Sequence, residues 1–279
     1  MTADPDAWIA SLGLPGQQAL LERLVEVARS DPRIRFVELG CSVARGAGDE
    51  LSDLDLGIGI ADDAWPEALE DLGAALRGLG PVADVLEHEI DSWAGVPHRR
   101  YFVQYADGMQ VDLVAMPASQ RPGLPPGSVA LHDADGRLEK PMEPRQRDAT
   151  AEQVREWAFE AYVALLNMDK YLRRASPWEA LEQLHGARTL AWRLWAAAEG
   201  IEFPAFGLTA VLDEPEPRTP PGLEATVAGL NDAELRASGA ALLRIVAEVA
   251  PRASARTGAA HPDGMAAFVA SRWSDDSLI

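Results

Sequence analysis

The chain has 279 residues and a formal net charge of −19. Its hydrophobic content of 47% is typical of a globular protein. So acidic a surface disfavours binding to nucleic-acid phosphates and to anionic membranes, and no apolar run approaches the ~20 residues that a membrane-spanning helix needs. The single cysteine, Cys41, excludes an internal disulfide, so a reducing, cytoplasmic location is expected.

The first half of the chain alternates helix and strand patterns. Apolar residues recur at helical spacing in residues 17–29, whereas residues 34–40 have the β-branched and aromatic content of a buried strand. In chain order, the predicted elements are a helix at 17–29, strands at 34–40 and 54–60, a helix at about 63–78, a strand at 82–90, and a hairpin at 99–116 that turns at Asp107-Gly108. This pattern predicts a mixed α/β domain.

Helical patterns dominate the second half of the chain. Thr150 with Gln153, and Ser176 with Glu179, are the residue pairs of capping boxes at the starts of two helices. These helices are predicted to end near residues 174 and 199, further helices are expected at about 231–249 and 262–273, and a proline-rich loop is expected at 212–222.

The change in composition near residue 145 predicts two domains. Residues 1–145 are expected to form an α+β domain with a mixed sheet, and residues 146–279 an all-α helical bundle.

Three aspartates stand at positions that suit a cation site. Asp53 and Asp55 are two residues apart at the start of a predicted strand, so their side chains are expected on one face. Two like charges side by side repel, and a hard divalent cation coordinated by carboxylate oxygens offsets that cost. Asp112 faces away from its apolar neighbours in the hairpin. If its strand neighbours residues 54–60, three carboxylates converge, as a two-metal phosphoryl or nucleotidyl transfer site requires.

The loop before these aspartates suits a phosphate group. Gly40 is expected to let the backbone turn sharply, and Gly46 and Gly48 are expected to keep the loop open to close approach by a ligand. Ser42 offers a hydroxyl and backbone N–H groups, and Arg45 a charged clamp. Ser52 is interpreted in two equally weighted ways, as a phosphate ligand or as a cap on its own turn.

The segment "LGCSVARGAGDELSDLDLGI" (39–58) resembles the signature of polymerase-β-type nucleotidyltransferases, a Gly-Ser pair followed by a spaced Asp-x-Asp. "VDLV" (111–114) is similar to the strand that carries the third carboxylate of this superfamily. The helical half resembles, in character only, the bundle of the small-molecule branch, which includes aminoglycoside and lincosamide nucleotidyltransferases. One departure is Cys41, which stands between Gly40 and Ser42.

The resemblance implies roles for these residues. Asp53, Asp55 and Asp112 would ligate two Mg²⁺ ions, and Asp112 would also act as the general base toward an acceptor hydroxyl. By the same resemblance, Ser42 and Arg45 would orient the phosphates of ATP or another nucleoside triphosphate. Lys170 would present a cation to the triphosphate, although a solvated lysine at a helix C-terminus is an equal alternative.

The implied function is transfer of a nucleoside monophosphate, AMP from ATP, to a hydroxyl of a small molecule, with the helical domain binding the acceptor. The acidic balance would suit a cationic acceptor such as an aminoglycoside, although an acidic source proteome explains the charge equally well. Two alternatives stay open: modification of a protein side chain, and a catalytically inactive nucleotide-binding or interaction module. The oligomeric state is left open.

Overall fold

The computed structural model describes residues 4–91, 95–143 and 147–274. The chain divides into two compact units, residues 1–144 and residues 145–279.

The first unit is built on a mixed six-stranded sheet. Its strands are β1 (Ile34–Leu39), β2 (Leu54–Ile60), β3 (Val82–Ile90), β4 (His98–Tyr105), β5 (Gln110–Pro117) and β6 (Val129–Asp133). Their order across the sheet is β3-β4-β5-β2-β1-β6. The central pair, β2 and β5, is parallel, and the other neighbours are antiparallel. The chain therefore brings β5 beside β2 although two other strands lie between them in sequence.

Helices cover one face of this sheet. The helices of the first unit are α1 (Pro5–Ala10), α2 (Pro15–Ser30), α3 (Cys41–Ala44) and α4 (Ala68–Gly78). The apolar stripes of α2 and α4 pack on alternate residues of the strands, such as Leu56, Ile58 and Leu113, in the largest core of this unit. That burial fixes which side chains of β2 and β5 point the other way.

The opposite face of the sheet carries a smaller apolar cluster, at the C-terminal ends of β2 and β5. Phe36, Met116 and Leu138 are buried there. Phe36 lies directly over Gly59, its cross-strand partner, and a Cβ at position 59 would lie 2.0 Å from the ring. The N-terminal ends of the same two strands are left for polar side chains.

The second unit is helical. Its helices are α5 (Ala151–Arg173), α6 (Pro177–Glu199), α7 (Leu208–Leu212), α8 (Asp232–Thr257) and α9 (Asp263–Ser274). Residues of α5, α6 and α8, including Tyr162, Leu184 and Leu242, are buried in one core. None of the helices within the described ranges is both long and apolar enough to cross a bilayer.

The structure confirms the α+β sheet domain followed by a helical part, and corrects several details. Ser176 does not cap α6, because its hydroxyl bonds the Glu179 carboxylate, whereas the Thr150 capping box is present. The helix expected at 63–78 begins only at Ala68, since Pro66 interrupts the pattern. The helix expected to end near 249 continues through Pro251. Four of the elements named above were not predicted: the edge strand β6 and the short helices α1, α3 and α7.

Candidate active site

Two acidic side chains share one row of the sheet. In the parallel pairing of β2 with β5, Asp55 lies directly opposite Asp112. Their neighbours Leu54, Leu56, Val111 and Leu113 are buried against the helices, so both carboxylates point to the other face. The adjacency expected between these strands is therefore present.

Asp53 lies one residue before β2 and interacts with the same row. Burial raises the pKa of Asp55, and the negative charges of Asp53 and Asp112 raise it further. A hydrogen bond from the Cys41 thiol opposes these effects. Asp55 is thus repelled by two neighbouring negative charges, and a cation beside it would relieve that repulsion.

Asp112 is already paired with a positive charge. Arg100 on β4 donates from Nε to Asp112 Oδ1 at 2.7 Å and from Nη2 to Oδ2, which is a bidentate ion pair. The Asp112 side chain is 17% exposed and that of Arg100 is 39% exposed. Within the described ranges, no three His, Cys, Asp or Glu side chains are arranged to hold a metal ion. Both Asp112 oxygens bond Arg100. The three aspartates are therefore neighbours in the backbone, as expected, but their side chains do not together surround a metal position.

The turn before α3 differs from the prediction. Gly40 is extended, with φ −117°, and its N–H donates to the Asp55 carbonyl at 2.8 Å. The left-handed conformation falls on Cys41, with φ +57°. The prediction that Gly40 makes the sharp turn is wrong. The left-handed conformation, which is unfavourable for a residue with a Cβ, is adopted by Cys41 instead. Consequently it is Cys41, directly after the glycine, whose side chain reaches Asp55.

The Cys41 thiol is a hydrogen-bond donor here rather than a nucleophile. Cys41 as a residue is exposed, but desolvation of its thiol raises the pKa to about 12, and the neighbouring charge of Asp55 acts in the same direction. A thiol that stays protonated can donate to the Asp55 carboxylate throughout the physiological range. Nothing in the sequence pattern singled out Cys41 for this contact, because it was treated as a departure between Gly40 and Ser42.

The other residues of the predicted loop differ from it in conformation, since part of the segment is helical. Ser42 lies within α3, and Arg45 ends that helix close enough to lower the pKa of Cys41 by its charge. Gly46 has φ +71°, which favours glycine. A Cβ at Gly48 would lie 2.8 Å from Val43, so this glycine lets the loop close onto α3.

Ser52 caps its own turn. Its hydroxyl accepts from the Asp49 N–H at 2.9 Å and donates to Asp49 Oδ1 at 3.2 Å. Of the two interpretations of Ser52, the structure shows the turn cap. Gln17 of α2 fixes the same turn by donating to the carbonyls of Asp49 and Ser52. This short loop is thereby tied to the helix layer just before Asp53.

A buried acidic residue that the sequence analysis did not single out lies on the same face. Glu38 of β1 is opposite Gly57, two residues along β2 from Asp55. A Cβ at Gly57 would lie 2.5 Å from the Glu38 carboxylate, so the glycine provides its space. Arg121 donates to Glu38 Oε1 at 2.6 Å. Burial nevertheless raises the pKa of Glu38 to about 7, with Arg121 acting against it.

This pKa predicts a stability that falls as pH rises. Glu38 titrates near its ordinary value of 4.5 when unfolded and near 7 when folded, so between these values the folded state binds more protons. The free energy of unfolding should therefore decrease by about 3 kcal/mol from pH 4.5 to above pH 7 through this group alone. Glu38→Gln should flatten that slope relative to the wild type in urea denaturation series. Identical slopes in both proteins would contradict the assignment.

Lys170 lies in the helical unit, in the last turn of α5. Its Nζ donates to Asn167 Oδ1 at 2.8 Å and lies 4.5 Å from the centroid of the Tyr171 ring. It lines a cleft of about 470 Å³ whose walls are Leu166, Asn167, Asp169, Lys170, Arg173, Arg174, Phe268 and Arg272. Asp169 is buried and bonds Arg173 through both oxygens at 2.9 Å. The cleft is basic overall, in contrast to the acidic chain.

Comparisons with known proteins give a structural likeness. No family model matches the chain, and no curated protein matches it. An aminoglycoside 6-adenyltransferase from Bacillus subtilis, known from a crystal structure, aligns over 91% of this chain and 97% of its own, with 18% sequence identity and a TM-score of 0.39.

Proposed function

We propose that this protein is a divalent-metal-dependent nucleotidyltransferase, which transfers a nucleoside monophosphate from a nucleoside triphosphate to a hydroxyl of a small molecule. The observation that carries this proposal is the register of β2 against β5, which sets Asp55 and Asp112 side by side on the face of the sheet away from the helices. Asp53 adds a third negative charge at the end of the same strand. Ser42 and Arg45, in and at the end of α3, precede that strand in the chain.

The donor set fits a hard cation such as Mg²⁺. Carboxylate oxygens are its preferred protein ligands, and a bound cation would relieve the repulsion between neighbouring carboxylates. Asp53, Asp55 and Asp112 would hold the metal. When bound, the cation supplies charge stabilisation for the phosphates and for the leaving pyrophosphate.

The chain's own residues would then position and activate the reactants. A carboxylate of the row, for which we favour Asp112, accepts the proton of the acceptor hydroxyl. The acceptor oxygen forms a bond to the α-phosphorus, the bond from that phosphorus to the bridging oxygen breaks, and pyrophosphate leaves with that electron pair. Arg45 and Ser42 would orient the outer phosphates.

The nucleotide is proposed to be ATP and the acceptor a cationic, hydroxyl-bearing compound of the aminoglycoside kind. The net charge of −19 favours the approach of a cation. The aminoglycoside activity belongs to the Bacillus subtilis enzyme and serves here only to choose the compounds for screening.

Calorimetry of ATP binding with and without Mg²⁺ tests the proposal. We expect Mg²⁺-dependent binding to the wild type and binding weakened about tenfold or more in Asp53→Asn/Asp55→Asn, because the double variant loses two of three ligands. A folded wild type that binds no nucleoside triphosphate in the presence of Mg²⁺ would favour an interaction module instead. Where binding is found, pyrophosphate release from ATP with a panel of aminoglycosides tests the acceptor class.

A further inference from the structure

The ion pair between Arg100 and Asp112 lies next to Asp55, at one side of the acidic row formed by Asp53, Asp55 and Asp112. Arg100 pairs with Val114 across β4 and β5, and Asp112 pairs with Phe102, so the guanidinium reaches diagonally over two residues. It makes two parallel hydrogen bonds to the carboxylate, the geometry in which arginine binds carboxylates most specifically. Both oxygens of Asp112 are used by this contact.

The charge of Arg100 also reaches the rest of the row. It acts on Asp55 to lower its pKa, against the charges of Asp53 and Asp112. Hydrogen bonding to Asp112 raises the pKa of Arg100, so the guanidinium stays charged. The row of three carboxylates is therefore partly neutralised by a positive side chain of the protein itself.

We propose that Arg100 is a positioning residue that competes with the divalent cation for Asp112, so that cation binding requires exchange of the guanidinium for the metal. This inference rests on the proposed function. It explains why the described side chains form no three-ligand metal group although their backbone positions suit one. Arg100 is 39% exposed, so its guanidinium has access to solvent when it leaves the carboxylate.

The exchange has a consequence for specificity. A monovalent or weakly bound cation cannot compensate for the loss of a bidentate ion pair, whereas a divalent cation held by two or three carboxylates can. Arg100 thus raises the binding strength that a cation needs in order to occupy the site. It would keep Asp112 ordered and neutralised until a strongly bound divalent cation takes its place.

Arg99 provides a matched control. It is adjacent in sequence and carries the same charge, but its side chain lies on the other face and pairs with Glu87 at 2.9 Å and Glu89 at 3.2 Å. Arg99→Gln and Arg100→Gln change the net charge of the protein equally. A difference between them therefore reports on the row and not on overall charge.

The test is Mn²⁺ binding without nucleotide, followed by the electron paramagnetic resonance signal of the free ion. We expect Arg100→Gln to bind Mn²⁺ about five- to tenfold more tightly than the wild type, Arg99→Gln to match the wild type, and Asp112→Asn to bind more weakly. Thermal denaturation checks that each variant is folded. A purely structural ion pair would lower the stability of Arg100→Gln without tightening Mn²⁺ binding.

Two other outcomes separate this inference from the proposed function. If Asp112→Asn weakens Mn²⁺ binding but Arg100→Gln binds like the wild type or less tightly, competition by Arg100 is overturned and the metal site stands. If neither the wild type nor Arg100→Gln binds Mn²⁺, both the metal site and the inference are overturned.

Discussion

Replacing Asp55 by asparagine is expected to reduce nucleotidyl transfer by about a thousandfold or more while leaving the fold intact. Asp55 lies between two other negative charges and is the carboxylate whose pKa burial and those charges raise. In the proposed reaction it is the central metal ligand, and loss of such a ligand removes several kcal/mol of charge stabilisation from the transition state. Asparagine keeps the shape of the side chain and one oxygen to accept from Cys41.

The stability of the same variant should move in the opposite direction. A carboxylate whose folded pKa is raised disfavours folding once it ionises, so stability falls as pH rises through that pKa. Asparagine has no charge to lose or gain. At neutral pH, the free energy of unfolding of Asp55→Asn should therefore equal or exceed that of the wild type. Lost activity together with retained or increased stability is the pattern of a residue kept for function.

The measurement pairs pyrophosphate release, using ATP and the aminoglycoside most active with the wild type, with urea denaturation. Asp63→Asn is the matched control, since Asp63 is exposed just beyond the other end of β2. It should keep wild-type activity. Near-normal turnover by a folded Asp55→Asn would remove Asp55 from the proposed site.

The position of the acidic row could be predicted from alternation along the strands. Asp55 and Asp112 each stand between buried apolar residues, so sequence alone gives the face of each carboxylate. The sequence does not show which strand lies beside β5 on the side away from β4, because parallel pairing joins strands that are distant along the chain. The prediction was conditional on that pairing for this reason.

The sequence contains local information that predicts the pairing of Arg100 with Asp112. A hairpin that turns at Asp107-Gly108 sets Gln104 opposite Gln110 and Phe102 opposite Asp112, which places Arg100 on the same face and one diagonal away. Counting along the two strands from the turn would have found it. Register within a hairpin is local information, unlike the parallel pairing of β2 and β5.

At the turn near Gly40, the general preference of glycine for positive φ predicts the wrong residue. Glycine is the usual residue at positive φ, yet here Cys41 adopts it and Gly40 does not. The Gly40 N–H is fixed by the Asp55 carbonyl and the Cys41 thiol bonds the Asp55 side chain. These tertiary contacts select the conformation, and no local pattern encodes them.

Gly59→Ala is expected to destabilise the first unit by about 3 kcal/mol or more. A Cβ at position 59 would lie 2.0 Å from Phe36 Cε1 and 2.3 Å from Cδ1, so the ring would have to move. Phe36 is fully buried in the cluster on this face and has no solvent to move into. Overpacking a dense core costs about 1–3 kcal/mol and sometimes more, well above the small gain in strand propensity of alanine over glycine.

Urea denaturation of a double-mutant cycle with Phe36→Ala measures this contact. Phe36→Ala alone should cost about 3–5 kcal/mol, because it leaves a cavity. In that background Gly59→Ala should cost almost nothing, since the Cβ then enters empty space, which gives a coupling energy of about 2 kcal/mol or more. If Gly59→Ala alone is insoluble, recovery of a folded protein on adding Phe36→Ala reports the same coupling.

Gly78→Ala is the control for the substitution itself. Gly78 ends α4, and a Cβ there would have no heavy atom within 4 Å. Alanine is the better helix former, so this variant should be as stable as the wild type or more stable by up to about 1 kcal/mol. A Gly59→Ala variant that unfolds within about 0.5 kcal/mol of the wild type would contradict the close approach of Phe36 to β2. It would also place in doubt the register of β1 against β2, on which the position of Glu38 over Gly57 depends.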